Sequence, residues 1–217
     1  NKLHEGGEGA IYEIVNDSTR VVKIYHEHKR TPERFRKLEI MIENPPENPT
    51  KNHISFTWPE MLCLENDEPV GYIMPRISNM EPILNLMLLK NLRIFIHKHA
   101  IPPNLEFILL LRVAYNICRV VKSLHDKGYV IGDLNDQNVL VNGRGLVTIV
   151  DTDSFQVRDP KTKKIYPCPV GKPEYTHPEV LRELTQKSFS DIIQYPYHDD
   201  YGLAVIIFRL LMNGCYP

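Results

Sequence analysis

The chain has 217 residues, of which 42% are hydrophobic, and a formal net charge of −1. This composition suffices for one large domain or two lobes with hydrophobic cores, and it lacks the basic excess that would indicate nucleic-acid binding through this domain. The longest apolar stretches are far too short to cross a bilayer, so we expect no membrane association. Because the cysteines and histidines show no C-x-x-C or H-E-x-x-H spacing, we expect reduced thiols and a cytoplasmic location.

In the first third of the chain, β-branched runs alternate with turn residues, which is typical of a small antiparallel sheet. Thr31-Pro32 is typical of a helix start, because Thr can cap the first turn and Pro fits the first helical position. Asn44-Pro45-Pro46 ends the apolar stripe of that helix. The predicted elements are hairpin strands at 11–15 and 20–25, a helix from 31 to 44, and strands at 61–65 and 70–77.

The pattern changes after Arg76, where helical periodicity replaces the strands. Apolar positions three or four residues apart follow Pro102-Pro103-Asn104 and continue to Gly128, which suits a helix C-cap. The later predicted elements are strands around 139–141 and 147–150, a long loop from 156 to 178, and a nearly all-apolar helix from 201 to 212. We therefore expect an α+β chain with its sheet in residues 1–77 and mainly helices in residues 78–217.

Acidic and amide side chains follow the long helix. Asp133 is followed five positions later by Asn138, and Asp151 stands at the end of an apolar strand. Phosphoryl transfer needs an acceptor for the proton of the attacking hydroxyl and oxygen ligands for magnesium. Residues 133–138 match the D-L-x-x-x-N of the kinase catalytic loop, and this resemblance implies Asp133 as the base and Asn138 and Asp151 as metal ligands. Asp and Asn also populate ordinary turns, but the ordered combination favours the functional interpretation.

Three glycines near the start of the chain, Gly6, Gly7 and Gly9, come shortly before the predicted strand at 11–15. Such glycines let backbone N–H groups approach phosphates closely, although any hairpin can carry them. Lys23 follows on the next strand amid β-branched residues, where its ammonium group is suited to hold phosphates. The alternative is a charge that protects an edge strand from aggregation, which fits less well beside that loop.

Together these segments resemble the protein kinase superfamily. Residues 3–11 resemble the kinase glycine-rich loop, with Ile11 at its final apolar position, and Lys23 stands at the lysine of V-A-I-K. Residues 171–179 look like the end of an activation segment. The chain is therefore identified as similar to the eukaryotic-like protein kinases.

The resemblance implies a two-lobed kinase fold. Its first lobe would be an antiparallel sheet with one helix in residues 1–77, and its second a mainly helical lobe in residues 78–217 that stops after its central helix. It also implies binding of ATP with Mg²⁺, or with Mn²⁺ in its place, and transfer of the γ-phosphate to Ser or Thr of a protein substrate, including autophosphorylation. Since kinases continue for several helices beyond this point, we expect a longer natural protein.

The resemblance implies further site residues. Lys23 would pair with a helix glutamate, and Glu39 is favoured over Glu43, which lies beside the helix end where the macrodipole disfavours a carboxylate. Asp199, or its neighbour Asp200, would hydrogen-bond the backbone of the catalytic loop. The implied adenine-binding hinge consists of Met74 as gatekeeper, Pro75 as carbonyl acceptor and Ile77 as N–H donor.

Within the superfamily, the pairing of residues 132–138 with residues 151–155 is similar to a bacterial group of kinases that carry helix-hairpin-helix domains. Those kinases are found with a von Willebrand A-type protein and a metal-dependent phosphatase. The resemblance therefore implies these two proteins as partners.

Departures from the kinase pattern keep other interpretations open. Ile131-Gly132 replaces the H-R before the base, so we expect activity without phosphorylation of the activation segment. Asp151-Thr152-Asp153 replaces D-F-G, with Asp153 either adding a metal contact or serving as a turn residue. Asn135 replaces a lysine and removes one cation near the transferring phosphate. The alternatives are a pseudokinase that binds nucleotide as a signalling scaffold, and a small-molecule phosphotransferase.

Overall fold

An antiparallel sheet forms the N-terminal part of the computed structural model, which describes all 217 residues. Its strands are β1 (Lys2–Glu5), β2 (Gly9–Ile14), β3 (Asp17–Tyr25), β4 (Met61–Glu65) and β5 (Glu68–Pro75). The strand order is β1-β2-β3-β5-β4, so β3 is central and carries Lys23 within the sheet. The register sets Lys23 opposite Tyr72 and Val21 opposite Met74. The predicted antiparallel sheet is confirmed.

One helix, α1 (Pro32–Glu43), accompanies this sheet. Its start is the predicted one, because the Thr31 hydroxyl accepts a hydrogen bond from the Arg34 N–H at 3.2 Å and Pro32 opens the first turn. Its apolar side buries Phe35, Leu38 and Met41, among others.

Helices dominate the rest of the chain, as predicted. They are α2 (Leu84–Met87), α3 (Leu89–Lys98), α4 (Glu106–Asp126), α5 (Pro178–Glu183) and α6 (Pro196–Leu211). The short strands are β6 (Glu81–Pro82), β7 (Val139–Val141), β8 (Val147–Ile149), β9 (Val157–Arg158) and β10 (Ile165–Tyr166). The sequence did not predict α2 and α3, which have no side-chain cap. No helix combines the length and apolar composition needed to span a bilayer.

A continuous hydrophobic core joins the sheet side to the helical side. Trp58 is buried at the junction, packing edge-on against Tyr129 and Phe155. Its indole N–H donates to the Met41 carbonyl of α1 at 3.0 Å, and the Tyr129 hydroxyl donates to the Asn44 carbonyl at 2.6 Å. The C-terminal end of α1 is thereby fixed to the helical side of the molecule.

Candidate active site

A cleft of about 450 Å³ lies between the five-stranded sheet and the loops that follow α4. Its lining combines apolar side chains of the sheet with polar side chains of the loops. The predicted site residues that line it are Ile11, Lys23, Met74, Pro75, Ile77, Asn138 and Asp151. The predicted site residues outside its lining are Gly6, Gly7, Gly9, Asp133 and Glu39.

The apolar end of the cleft is built by neighbouring strands. Val21 and Met74 are both buried and face each other across β3 and β5. The Arg76 N–H donates to the Thr19 carbonyl of β3 at 2.8 Å, which is the last hydrogen bond of this ladder. The next N–H along the chain, that of Ile77, has no acceptor in the protein. A flat heterocycle at this end would meet apolar side chains and one unpaired backbone donor, which are the features that pockets for such ligands combine.

The glycines form the turn between β1 and β2. The Gly6 N–H donates to the Gly9 carbonyl at 2.9 Å. A Cβ atom on Gly9 would lie only 2.2 Å from the Ile24 carbonyl oxygen, so the close approach of the two strands requires glycine there. Glu8 in the same turn accepts two hydrogen bonds from Arg34 of α1, at 2.7 and 2.9 Å. Burial opposes the charge of Glu8, but the Arg34 guanidinium outweighs it and lowers the Glu8 pKa.

Lys23 is held by two carboxylates of one segment. Its Nζ lies 2.9 Å from both oxygens of Asp153 and 3.0 Å from Oδ1 of Asp151. The hydroxyls of Tyr25 and Tyr72 also donate to Asp153, at 2.6 and 2.9 Å. Burial alone would raise the pKa of Asp153, but Lys23 and the two hydroxyls hold that pKa well below its usual range. Asp153, which the sequence left as a metal contact or a turn residue, is the buried counter-ion of Lys23.

The structure contradicts the predicted pair between Lys23 and Glu39. The Glu39 side chain is 45% exposed and accepts from Arg36 at 2.9 Å. The alternative, Glu43, is also half exposed and pairs instead with Lys161, at 3.2 Å. Because an α-helix has about 3.6 residues per turn, Glu39 lies about 200° around α1 from Lys37, which is the charged residue that this helix buries.

A signal in the sequence could have found Asp153. Side chains two residues apart on a strand share a face, so Tyr25 lies on the face of Lys23, and Tyr72 is its partner across the ladder. An ammonium group and two phenol hydroxyls on one buried face need an acceptor, because buried donors are almost always paired. Asp153 is the carboxylate that meets them.

Two amides hold Asp133 in the loop after α4. Asn135 donates to one carboxylate oxygen at 2.8 Å and Asn138 donates to the other at 3.0 Å. Burial raises the pKa of Asp133, and the negative charge of Asp151 adds to that effect against the two amides. A raised pKa makes a carboxylate a better proton acceptor, which is the property a general base needs. Asp133 is therefore held next to Asn138, which lines the cleft, although the Asp133 side chain itself is not part of that lining.

The backbone before Asp133 is fixed from α6. Asp199 accepts from the N–H groups of Ile131 and Gly132 at 2.7 and 2.8 Å, so the alternative between Asp199 and Asp200 is decided for Asp199, which is buried. Gly132 has φ of 74°, and a Cβ atom there would lie 2.5 Å from the Cβ of Cys168. Cys168 therefore occupies the space that an arginine side chain at position 132 would need.

Asn138 and Asp151 fit an oxygen-liganded divalent cation. The Asn138 amide nitrogen is used by Asp133, which leaves its carbonyl oxygen without a donor. Lys23 contacts only Oδ1 of Asp151, whose side chain is 56% exposed, so the other oxygen is accessible. Carboxylate and amide oxygens suit Mg²⁺, and these two residues would hold it. When bound, the ion would offset phosphate charge.

Comparisons with known proteins agree with this geometry. A model of the protein tyrosine and serine/threonine kinase family matches residues 68–197. The chain is 31% identical over 219 residues to the protein kinase YegI of Escherichia coli strain K12, and equally to that of strain O157:H7; all of this chain aligns with 31% of each protein's length. It is 29% identical over 123 residues to the serine/threonine-protein kinase PTK2/STK2 of Saccharomyces cerevisiae, covering 52% of this chain and 14% of that protein.

The family match covers more than half of the chain and includes the loop of Asp133, the segment of Asp151 and Asp153, and the start of α6. The antiparallel sheet, the helical second part and the cleft between them are the arrangement that the resemblance implied. The chain belongs to the protein tyrosine and serine/threonine kinase family.

Proposed function

We propose that this chain is a catalytically active kinase domain that binds ATP with Mg²⁺ and transfers the γ-phosphate to Ser or Thr of proteins, itself included. The observation that carries the proposal is the grouping of four residues in and beside one cleft. Lys23, Asn138 and Asp151 line it, and Asp133, whose pKa is raised, is hydrogen-bonded to Asn138. Positioning and electrostatic stabilisation are most of what phosphoryl transfer requires.

Each residue has a distinct role in the proposed reaction. Ile77 donates its N–H to the nucleobase beside Met74, and Lys23 contacts the phosphates. Asp133 accepts the proton of the attacking hydroxyl while Asn135 holds its carboxylate in place. The amide and carboxylate oxygens at the end of the cleft would hold the metal ion.

The test is transfer of labelled phosphate from ATP with magnesium, using the full-length natural protein and its Asp151→Ala variant. We expect label on Ser or Thr of protein with wild type and at least a hundredfold less with Asp151→Ala. Asp126→Ala is a matched control, because this exposed acid pairs only with Lys122 on the same helix. Label on small molecules alone would favour a small-molecule phosphotransferase and contradict the proposal.

A pseudokinase that binds nucleotide as a signalling scaffold is the second candidate. It is favoured by the absence of a Lys23–Glu39 pair and by Gly132 in place of an arginine. No label with wild type, together with retained nucleotide binding, would support this candidate.

Finer proposals rest on the sequence resemblance. They are a lobe boundary between residues 77 and 78, membership of the bacterial helix-hairpin-helix group, partners of the von Willebrand A and metal-dependent phosphatase types, and a cytoplasmic location. Co-purification of the natural protein with either partner tests the proposed complex, and its absence from both pull-downs would count against it.

A further inference from the structure

The position that carries a lysine in the kinase catalytic loop is occupied here by Asn135. Its amide nitrogen donates to Asp133 at 2.8 Å, and its side-chain oxygen accepts from the Gln137 N–H at 2.9 Å. The side chain is buried and both of its ends are used to shape the loop. No positive charge therefore comes from this position to offset the charge of a phosphoryl group between nucleotide and acceptor.

Lys172 of the activation segment brings a cation to the same loop. Its carbonyl oxygen accepts from the Tyr175 N–H at 3.0 Å and from the Thr176 hydroxyl at 2.8 Å, so its backbone is fixed. Its Nζ lies 3.4 Å from Oδ1 of Asp136, three residues after the base, and its side chain is 35% exposed. Its charge also lowers the pKa of Asp133, against the larger opposing effect of burial.

Asp136 does not depend on Lys172 for its charge balance. Arg209 of α6 donates to its other oxygen at 2.8 Å, and both side chains of that pair are buried. Burial opposes the charge of Asp136, but the Tyr175 hydroxyl and Arg209 lower its pKa together with Lys172. Charge-assisted N–H···O bonds are about 2.7–2.9 Å long, so a contact of 3.4 Å holds the Lys172 ammonium only loosely.

We propose that Lys172 supplies the cation that contacts the γ-phosphate during transfer, in place of the lysine missing at residue 135. In this step the bond from the γ-phosphorus to the ADP oxygen breaks, the bond from the acceptor oxygen to phosphorus forms, and the hydroxyl proton passes to Asp133. Lys172 keeps its proton and offsets charge on the transferring group. The inference rests on the proposed kinase function.

A binding measurement tests the contact without turnover. In the full-length natural protein with magnesium, we compare affinities for ADP and for the β,γ-imido analogue of ATP. For Lys172→Ala we expect at least a fivefold loss of analogue affinity and less than a twofold change for ADP. Lys187→Ala is the matched control, since it removes an exposed lysine that pairs only with Glu183. An unchanged ratio of the two affinities in Lys172→Ala would overturn the contact, whatever happens to the rate.

A rescue experiment separates a catalytic charge from a structural one. We expect Lys172→Ala to lower kcat for protein phosphorylation at least thirtyfold at unchanged melting temperature, and Lys172→Arg, which keeps the charge, to restore at least tenfold of that loss. A rate loss that tracks a lowered melting temperature, without rescue, would overturn the proposal. Absence of transfer by wild type contradicts the proposed function instead, and the affinity ratio still decides the contact.

Discussion

The carboxylate of Asp153 is buried, yet it carries a negative charge because it is surrounded by donors. Lys23 contacts both of its oxygens, and Tyr25 and Tyr72 add one hydroxyl each. Such a pair is stable only when every partner is present, because an isolated buried charge is costly. The sequence motif did not show this, since Asp153 stands where kinases carry a glycine.

Replacing Asp153 with Asn keeps its shape but leaves Lys23 with only the exposed Asp151. Removal of one partner of a buried pair costs about 3–5 kcal/mol, so we expect the free energy of unfolding to fall by about 3 kcal/mol at pH 7 in urea titrations. Tyr72→Phe removes one neutral donor and should cost about 1 kcal/mol. Equal losses in the two variants would contradict the ion-pair account.

The same pair predicts a pH dependence. Because the folded-state pKa of Asp153 is depressed, its contribution to stability is fully present above the unfolded pKa and is lost as pH falls through the folded pKa. We therefore expect the stability difference between wild type and Asp153→Asn to shrink progressively below about pH 4. A difference that stays constant from pH 7 to pH 3 would argue against a charged Asp153.

Lys37 presents the opposite case, since it is buried on α1 without an ion-pair partner. Burial lowers the pKa of Lys37 from 10.5 to about 8. Below pH 8 the folded state carries the full cost of a buried charge, and the cost is relieved between pH 8 and 10.5. Lys37→Met should therefore stabilise at pH 7 by on the order of 2–3 kcal/mol, with a gain that shrinks toward pH 10.

The measurement is urea unfolding at pH 7 and pH 9.5. Lys90→Met on α3 is the control, because Lys90 is exposed and its loss should change stability by less than about 0.5 kcal/mol. A destabilised Lys37→Met would show that this ammonium group makes a favourable contact.

The loop before Asp133 takes its conformation from contacts with Cys168 and with α6 rather than from its own sequence motif. Gly132 has a positive φ and lies against Cys168. Asp199 of α6 accepts hydrogen bonds from the N–H groups of Ile131 and Gly132. An arginine side chain cannot be added there without displacing the activation segment. The loop therefore has no arginine that could bind a phosphorylated activation segment, and activity without that phosphorylation stays a prediction.

Gly132→Arg tests this packing. Because a Cβ atom would lie 2.5 Å from the Cys168 Cβ and the backbone would be strained, we expect a loss of about 2–4 kcal/mol in unfolding free energy. Gly128→Arg is a control with a similar positive φ but no neighbour within 4 Å, and should cost about 1 kcal/mol. Equal losses would assign the effect to backbone strain alone.

Elements with strong local signals could be predicted, and elements set by distant contacts could not. The cap of α1 by Thr31 and Pro32 is local, so its start was found. Helices α2 and α3 were missed because they are short and have no side-chain cap, whereas α4, which also has none, was found by its long apolar periodicity. Glu39 was chosen by its place in the helix, yet which side of α1 is buried depends on packing against the rest of the molecule.

Trp58 connects the sheet side of the molecule with its helical side. It donates to the last turn of α1 and packs on Tyr129 and Phe155 of the helical side. We expect Trp58→Phe to lower the unfolding free energy by about 2 kcal/mol, since it removes the indole hydrogen bond to the Met41 carbonyl and leaves a gap in the core. Chemical unfolding monitored by far-ultraviolet circular dichroism would check this, and an unchanged midpoint would contradict it.

The lysine anchor and a proposed metal ligand belong to one three-residue stretch, since Asp151 and Asp153 both bind Lys23. A displacement of α1 would release neither carboxylate, whereas a shift of that stretch would disengage both at once. Kinases that rely on a helix glutamate can be silenced by swinging the helix outward. In this chain a displacement of α1 would break the Arg34–Glu8 pair but neither contact of Lys23, so compounds that displace α1 would leave Lys23 bound to both carboxylates.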